Sequence, residues 1–348
     1  MSKIPVGILG ATGAVGQRFV QLLENHPWFE ITALAASDRS VGLAYADACR
    51  WLLPTPMPER TGKLIVQPIE PGMDCQLIFS ALPSSVAGEV EANFAQAGYA
   101  VSSNASAHRM DADVPLLIPE VNPEHTGLLA IQKKQRGWQG LMVTNPNCSS
   151  TELALAFKPL HENFGLRNVF VATMQAVSGA GYPGVASLDI VDNLIPYIHD
   201  EEDKVEREPG KLLGKLVDGR VIAADFVVSA QCNRVAVREG HTACVAIQFH
   251  EKPAVDAVIA ALTSFRGTEE VAALPSTPRL PLVVHRQPDR PQPILDRDAG
   301  NGMVVNIGRV RPDPLFDIKF VVLGHNTVRG AAGCAIHNAE LLKVQGWL

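Results

Sequence analysis

Residues 4–16 read IPVGILGATGAVG, an apolar run that ends in glycines at positions 10, 13 and 16. Val15, Phe19, Leu22 and Leu23 follow at helical spacing, so the stretch predicts a strand, a glycine turn and a helix in that order. This is the mononucleotide-binding unit of a Rossmann fold, in which glycines let the backbone approach a pyrophosphate and the helix N-terminus stabilises its charge. The spacing G-x-x-G-x-x-G also occurs in plain strand–helix connections, so it needs support from elsewhere in the chain.

Strand and helix signals alternate through the first 150 residues. Apolar runs predict strands over 31–36, 75–82, 99–102 and 141–144, and a helix over 86–97. Such alternation predicts a mostly parallel sheet with helices on both faces. Longer β-rich runs with fewer helices follow, and they predict a second, mixed α/β domain; they cover residues 168–177, 221–230, 242–250, 303–310 and 316–323.

The predicted fold class is therefore α/β, with a Rossmann-type dinucleotide-binding domain and a mixed α/β domain. We expect the first to span residues 1–147 and to be rejoined by a C-terminal helix within 325–348. The second should span residues 148–324. Residues 275–293 carry six prolines and should form an extended arm or loop.

The composition is that of a soluble globular protein, with 348 residues of which 47% are hydrophobic and 19% charged. We find no apolar run long enough to span a membrane and no signal peptide. The net charge of −6 disfavours nucleic acid as a partner. The six cysteines are scattered without a C-x-x-C pair, so we expect no metal site, no disulfide framework and a reduced, cytoplasmic protein.

Cys148 is the strongest candidate for chemistry. It lies in Asn145-Pro146-Asn147-Cys148-Ser149-Ser150-Thr151-Glu152, where a turn leads into a helix. Ser149 with Glu152 three residues later predicts a capping box, so a helix should begin beside the thiol. The partial positive charge at that helix end would favour a thiolate nucleophile. The alternative interpretation is a small buried hydrophobic side chain.

A nicotinamide cofactor and an activated cysteine suggest one reaction: the thiolate adds to an aldehyde, hydride leaves to NAD(P)+, and a second nucleophile cleaves the thioacyl enzyme. His241 suits proton transfer because histidine titrates near neutrality. Arg234 could grip a carboxylate, and Arg109 lies in a polar loop suited to phosphate. The small residues 178–181 could offer N–H groups to an anion. The acidic run 200–208, on composition alone, indicates a solvated helix face.

Seven motifs resemble, in their order along the chain, those of aspartate-β-semialdehyde dehydrogenase, most closely the branch found in archaea and fungi. They cover the chain from end to end: Gly10 to Gly16, Ser80-Ala81-Leu82-Pro83-Ser84, Ser103-Asn104-Ala105 through Arg109, Asn147-Cys148-Ser149, Gln175 with Ser178 to Gly181, Arg234 with His241, and Gly324-His325-Asn326-Thr327-Val328-Arg329-Gly330. No single motif is decisive, but their joint order is highly specific.

The resemblance implies roles for individual residues. Cys148 matches the nucleophile, His241 the acid/base and Gln175 the residue that orients substrate at the thiol. Arg234 matches the arginine that holds the substrate α-carboxylate, and Arg109 the one that holds phosphate.

Four further residues take substrate-binding roles through the same resemblance. Glu202 matches a carboxylate that meets the substrate amino group, and Lys204 a lysine near phosphate. This replaces the solvated helix face that composition alone indicates. Ser178 and Gly179 belong to the loop beside the substrate.

The cofactor implied by the resemblance is NADP. The residues expected to contact it are Gly10, Thr12, Gly13, Ala14, Val15, Gly16, Ser80 and Asn326. Ser37, Arg39 and Ser40 could hold a 2′-phosphate, whereas Leu43 stands where a lysine is expected and Asp38 is an acidic group of the kind that favours NAD. Homodimers or homotetramers built through the second domain are also implied.

The implied function is reduction of L-aspartyl-4-phosphate to L-aspartate 4-semialdehyde with NADPH and release of phosphate, in the biosynthesis of lysine, threonine and methionine. Related reductases of malonyl-CoA or N-acetylglutamyl phosphate remain alternatives. A non-catalytic NAD(P)H-binding sensor would need neither Cys148 nor His241. A cysteine hydrolase would leave the glycine turn without a purpose.

Overall fold

The first half of the chain forms a parallel six-stranded sheet in the computed structural model, which describes residues 2–348. The strands are β1 (Ile4–Leu9), β2 (Phe29–Ala35), β3 (Val66–Gln67), β4 (Leu77–Ser80), β5 (Ala100–Ser103) and β6 (Leu141–Thr144). Their order across the sheet is β3-β2-β1-β4-β5-β6, and every neighbouring pair is parallel. This is the Rossmann order, which reverses direction between β1 and β4 and leaves a crevice at their carboxyl ends.

Helices connect these strands and cover the sheet. They are α1 (Ala14–Leu23), α2 (Tyr45–Ala48), α3 (Glu59–Gly62), α4 (Ser84–Gln96) and α5 (Leu128–Arg136), the last preceded by a 3-10 turn over Pro123–Gly127. Phe19 and Val20 of α1 pack with Val6 and Ile8 of β1 in one apolar cluster. The apolar face that the sequence predicts for this helix is therefore its buried face.

A second sheet is built from the rest of the chain. Its elements begin with α6 (Cys148–Phe164) and continue with β7 (Leu166–Gln175), α7 (Ser187–Ile190), α8 (Glu201–Leu212), β8 (Lys215–Val217), β9 (Arg220–Ile222), β10 (Val227–Arg234), β11 (His241–Phe249), α9 (Val255–Ser264), α10 (Glu269–Ala272), β12 (Leu282–His285), α11 (Pro293–Asp296), β13 (Val305–Pro312), β14 (Ile318–Gly324) and α12 (Gly333–Val344). The strand order is β10-β7-β11-β14-β13-β12 with mixed directions, and β8 and β9 form a separate hairpin.

Helix α6 passes from the first sheet to the core of the second. Leu153, Phe157 and Leu160 are fully buried and pack with residues of β7, β11 and β14. The opposite face of the second sheet is open in the single chain, where Phe170 of β7 is 41% exposed and Val227 of β10 is 63% exposed. The sheet therefore has one covered and one uncovered face.

The C-terminal helix α12 returns to the first sheet, as the sequence predicts. Ala335, Ile336 and Ala339 pack in the cluster that holds β1 and α1, and Ser102 of β5 donates a hydrogen bond to the Ala335 carbonyl at 2.9 Å. Between residues 2 and 348, no helix combines the length and the apolar character needed to cross a bilayer.

Two predictions about local structure are wrong. The strand expected over 221–230 is divided between β9 and β10 by residues 223–226, because the Ala224 N–H donates to the Gly210 carbonyl of α8 at 2.9 Å and not to a neighbouring strand. The arm expected over 275–293 contains β12, whose residues pair in parallel with β13 over Leu282–His285. The pairing with β13 satisfies the backbone hydrogen bonds of this segment. Because β13 is distant in the sequence, the local pattern could not predict the strand.

Candidate active site

The candidate site is a cavity of about 580 Å³ between the two sheets. Gly13, Ala14 and Val15 line its end at the first sheet, and Cys148 and Arg234 line its end at the second. The crevice beyond β1 and β4 therefore opens directly onto the candidate nucleophile. The cavity is also lined by Gln175, Ser178, Gly179, Arg109, Lys204, Asn326 and Thr327.

The glycine turn is tightly folded, because the backbone at Gly10 and at Gly16 passes so close to neighbouring carbonyl groups that no side chain fits there. Gly10 has a φ of +71°, and a Cβ there would lie 2.7 Å from the Ala81 carbonyl oxygen. A Cβ on Gly16 would lie 2.3 Å from the Gly10 carbonyl oxygen. Gly13 precedes α1 without a side-chain cap, and the first turn of α1 contains no acidic residue. The free N–H groups of α1 thus fit a pyrophosphate.

Cys148 is the first residue of α6, and Asn147 caps the helix. The Asn147 side-chain oxygen accepts from the N–H groups of Ser149 at 2.9 Å and Ser150 at 3.2 Å. The predicted capping box is therefore wrong: the Ser149 hydroxyl has no partner, and Glu152 is buried beside Gly324. Asparagine takes the role one residue before the thiol because it lies just outside the helix in extended conformation.

The Cys148 thiol is closely enclosed. A Cβ on Gly330 would lie 2.5 Å from the Cys148 Cβ, so a glycine is required there. Burial raises the pKa of Cys148, and the carboxylates of Glu201 and Glu152 raise it further, while Arg109 and the Ser149 N–H lower it. Burial of the sulfur therefore acts against the thiolate that the helix terminus favours.

His241 is the first residue of β11 and lies 1% exposed. Its Nδ1 accepts from the Ala176 N–H at 3.1 Å, and its buried Nε2 has no partner. A Cβ on Gly179 would lie 3.2 Å from that Nε2 and 2.9 Å from Arg234 Nη1. Burial, followed by the charges of Arg234 and His325, lowers the pKa of His241 to about 3. The ring is thus neutral, with its proton on Nε2.

Arg234 ends β10 beside the last residue of β7, Gln175. Arg234 is 6% exposed and donates from Nη1 to the Ala176 carbonyl at 2.8 Å. On the other side of the loop, Asn326 donates to the Ser178 hydroxyl at 2.7 Å. The ends of two neighbouring strands therefore bring an arginine, an amide and a small-residue loop to one wall of the cavity.

Arg109 reaches the cavity from the loop after β5. It donates to Glu208 at 2.9 Å and to the Asn104 carbonyl at 2.8 Å, and its buried Nε has no partner. The other oxygen of Glu208 accepts from the Asn147 N–H at 2.7 Å. The arginine is thus fixed by the same carboxylate that holds the residue before Cys148.

The structure corrects the assignment of the acidic run 200–208. Glu202 faces away from the cavity, and its carboxylate accepts from the Cys232 N–H at 2.9 Å. Glu201 lines the cavity instead, accepts from the Asn147 side chain at 2.8 Å and lies 3.8 Å from Lys204 Nζ. The difference is one residue along α8, which turns a side chain by about 100°.

Comparison with known proteins shows which family this chain belongs to. The family description "Semialdehyde dehydrogenase, NAD binding domain" matches residues 5–128, and "Semialdehyde dehydrogenase, dimerisation domain" matches residues 157–329. An aspartate-semialdehyde dehydrogenase of Archaeoglobus fulgidus is 54% identical over 341 residues, which are 98% of this chain and 98% of that protein. The chain belongs to the aspartate-semialdehyde dehydrogenase family.

Fungal members of the aspartate-semialdehyde dehydrogenase family are also similar. The Aspergillus fumigatus protein is 45% identical, with 99% of each chain covered. The crystal structure of aspartate semialdehyde dehydrogenase with NADP from Candida albicans superposes with a TM-score of 0.91 at 43% identity and covers 100% of both chains. The family predicted from the sequence, with its archaeal and fungal likeness, is confirmed.

Seven of the eleven expected cofactor contacts lie outside the cavity of this aspartate-semialdehyde dehydrogenase family member, three of them, Gly10, Thr12 and Gly16, in the glycine turn itself. Ser37 and Arg39 are exposed in the turn after β2, and Ser40 is buried there. Ser80, at the end of β4, is fully buried, and the cavity is lined by Ala81 to Ser84 instead. The contact of Ser80 with the cofactor stays a prediction.

Proposed function

We propose that the protein reduces L-aspartyl-4-phosphate to L-aspartate 4-semialdehyde with NADPH and releases phosphate, through a thioacyl intermediate on Cys148. Such a step serves the biosynthesis of lysine, threonine and methionine. The observation that carries this proposal is the cavity in which Cys148, the glycine turn and two arginines meet. The names of the Archaeoglobus and Candida relatives support the choice of substrate.

The substrate is held by charges on opposite walls of the cavity. Arg234 pairs with the α-carboxylate, and Glu201 with the α-ammonium group. Arg109 and Lys204 hold the phosphate, for which the unpartnered Nε of Arg109 is available. Gln175, 1% exposed at the end of β7, orients the acyl group toward Cys148. The sulfur attacks the acyl carbon, the carbon–oxygen bond to phosphate breaks, and the thiol proton leaves with the phosphate.

His241 acts on the oxygen of the reacting carbonyl. Its Nδ1 accepts from Ala176, so the neutral ring donates from Nε2 to the oxygen as negative charge develops there. NADPH, when bound, supplies the hydride that converts the thioester to the thiohemiacetal. When the negatively charged oxygen returns to a carbonyl, the carbon–sulfur bond breaks and the aldehyde leaves. The departing sulfur then takes up one proton, which solvent supplies through Nε2 of His241.

NADP is the proposed cofactor because of the turn after β2 and because the Candida structure was solved with NADP. The exposed guanidinium of Arg39 and the hydroxyls of Ser37 and Ser40 suit a 2′-phosphate. Asp38 and Leu43 oppose this choice. Gly10, Thr12, Gly13, Ala14, Val15 and Gly16 hold the pyrophosphate, and Asn326 borders the nicotinamide.

We further propose that residues 1–147 with 325–348 form the nucleotide-binding domain and residues 148–324 the catalytic and dimerisation domain. The uncovered face of the second sheet supports a homodimer or homotetramer built there. A cytoplasmic location is supported by the six free cysteines.

The test is an assay of NADP+ reduction by L-aspartate semialdehyde, with and without inorganic phosphate. We expect turnover that depends on phosphate and a preference for NADP over NAD. Reduction of malonyl-CoA or N-acetylglutamyl phosphate without activity toward aspartate semialdehyde would contradict the substrate and leave the cysteine chemistry standing.

A further inference from the structure

Glu239 joins the two halves of the cleft although it does not line the cavity around Cys148. It lies in the turn before β11, two residues from His241. Its carboxylate accepts from Arg18 Nη2 at 2.6 Å, and Arg18 belongs to α1, whose N-terminus is the proposed pyrophosphate site. The two side chains are 17% and 7% exposed. A charged hydrogen bond shielded from solvent therefore connects the nucleotide helix to the turn that carries the acid/base.

The same turn is held to the segment after β14. Thr327 donates to the Glu239 carboxylate at 3.3 Å, and the Gly240 N–H donates to Asn326 Oδ1 at 2.9 Å. Arg297 donates to the Glu239 carbonyl at 3.0 Å. Helix α1, the segment 326–327 and Arg297 thus all contact residues 239 and 240. The first two of these also contribute residues to the lining of the cavity.

We infer that the Arg18–Glu239 pair is a latch that positions His241 and Asn326 relative to the bound dinucleotide. Neither side chain contacts substrate in the proposed reaction, so both are positioning residues. The inference rests on the proposed function for its kinetic readout. Movement of a reacting group by about 1 Å can cost about 100-fold in rate even when the altered residue is remote, so the latch should act on turnover rather than on substrate affinity.

The distinguishing variants are Glu239→Gln and Arg18→Gln, singly and together. We expect each single change to lower kcat by about 10- to 100-fold, with KM values for the semialdehyde, phosphate and NADP within about twofold, because Arg234, Arg109 and the glycine turn are untouched. The double variant should be no slower than the slower single variant, since both break one interaction. Arg18→Lys should retain most of the turnover.

Asp298→Asn is the matched control. Asp298 and Glu239 both lie near the His325 ring, at 3.7 Å and 3.6 Å. Asp298 is 75% exposed and makes no hydrogen bond to Arg18. Its loss should leave kcat within about twofold, as for most surface substitutions. A merely structural role for Glu239 would lower the melting temperature without separating kcat from KM, and would overturn the inference.

Amide hydrogen exchange gives a second readout that needs no substrate. In the unaltered protein, NADP should slow exchange of the peptide spanning residues 239–243, and in Glu239→Gln this effect should be lost. Equal protection by NADP in both proteins would refute the latch. If the unaltered protein fails to oxidise aspartate semialdehyde, the proposed function fails, and the exchange experiment still decides the inference.

Discussion

Glu201→Gln tests the corrected ammonium partner. Glu201 is 6% exposed, so its charge acts on the cavity with little screening by solvent. Glutamine keeps an oxygen that can accept from Asn147 and removes only the charge offered to the substrate. A hydrogen bond to a charged group contributes about 1.5–3 kcal/mol, which corresponds to a loss of about 10- to 150-fold in kcat/KM for aspartate semialdehyde.

Glu202→Gln is the control for that prediction. Its carboxylate accepts from the Cys232 N–H, a contact that glutamine can also make, so kcat/KM should stay within about twofold. Steady-state assays at several semialdehyde concentrations would separate the two variants. An unchanged Glu201→Gln enzyme, or an equal loss in Glu202→Gln, would refute the assignment of Glu201.

Three further predictions concern the cofactor, the arginines and acid stability. Arg39→Ala should weaken the binding of NADP by about 1.5–3 kcal/mol and leave the binding of NAD unchanged. Parallel titrations with both cofactors would show this difference, and an equal loss of affinity for both would contradict a 2′-phosphate contact. Arg234→Lys should raise KM for the semialdehyde, and Arg109→Lys chiefly KM for phosphate, each by about tenfold, because lysine lacks the planar fork; the reverse pattern would exchange their roles. Burial lowers the pKa of His241 to about 3 in the folded protein, so the unfolded chain takes up a proton on this side chain at a higher pH than the folded chain does. The free energy of unfolding should therefore fall as the pH drops below about 6.5. In denaturant titrations at about pH 7 and about pH 5, His241→Gln should make this fall smaller by about 2 kcal/mol.

The first sheet could be predicted from the sequence because its signals are local. The apolar runs that predict β1, β2, β5 and β6 differ from the observed strands by at most two residues at each end. β5 and β6 are buried along their whole length, as is typical of parallel strands covered by helices on both faces. β12 could not be found in this way, since its proline-rich segment becomes a strand only by pairing with β13.

The candidate site was predictable in its residue types and less so in its details. Cys148 and Arg234 line one cavity, and the ring of His241 lies behind the Gly179 wall of that cavity; the roles of all three residues stay predictions. The one-residue error between Glu201 and Glu202 arises because the helical phase of α8 is set by its packing on α6 and β10. Glu239 carries no motif of its own, and only the fold brings it to Arg18.

The direction of the pKa shift of Cys148 was beyond local reasoning. A helix N-terminus lowers a thiol pKa, and the sequence contains that feature. Burial and the nearby Glu201 and Glu152 have the opposite effect and are larger. Glu152 lies one turn along α6 from Cys148, but Glu201 reaches the thiol only through the packing of α8 on α6. The balance of these effects therefore follows from the three-dimensional arrangement.

The most direct test of the central claim is mass spectrometry of the protein after incubation with L-aspartate semialdehyde and NADP+ in the absence of phosphate. We expect the peptide containing Cys148 to gain the mass of one aspartyl group and to lose it when phosphate is added. Cys148→Ala should show neither the adduct nor turnover. Phosphate-dependent turnover with Cys148 unmodified throughout, or activity close to the unaltered level in Cys148→Ala, would contradict the thioacyl mechanism.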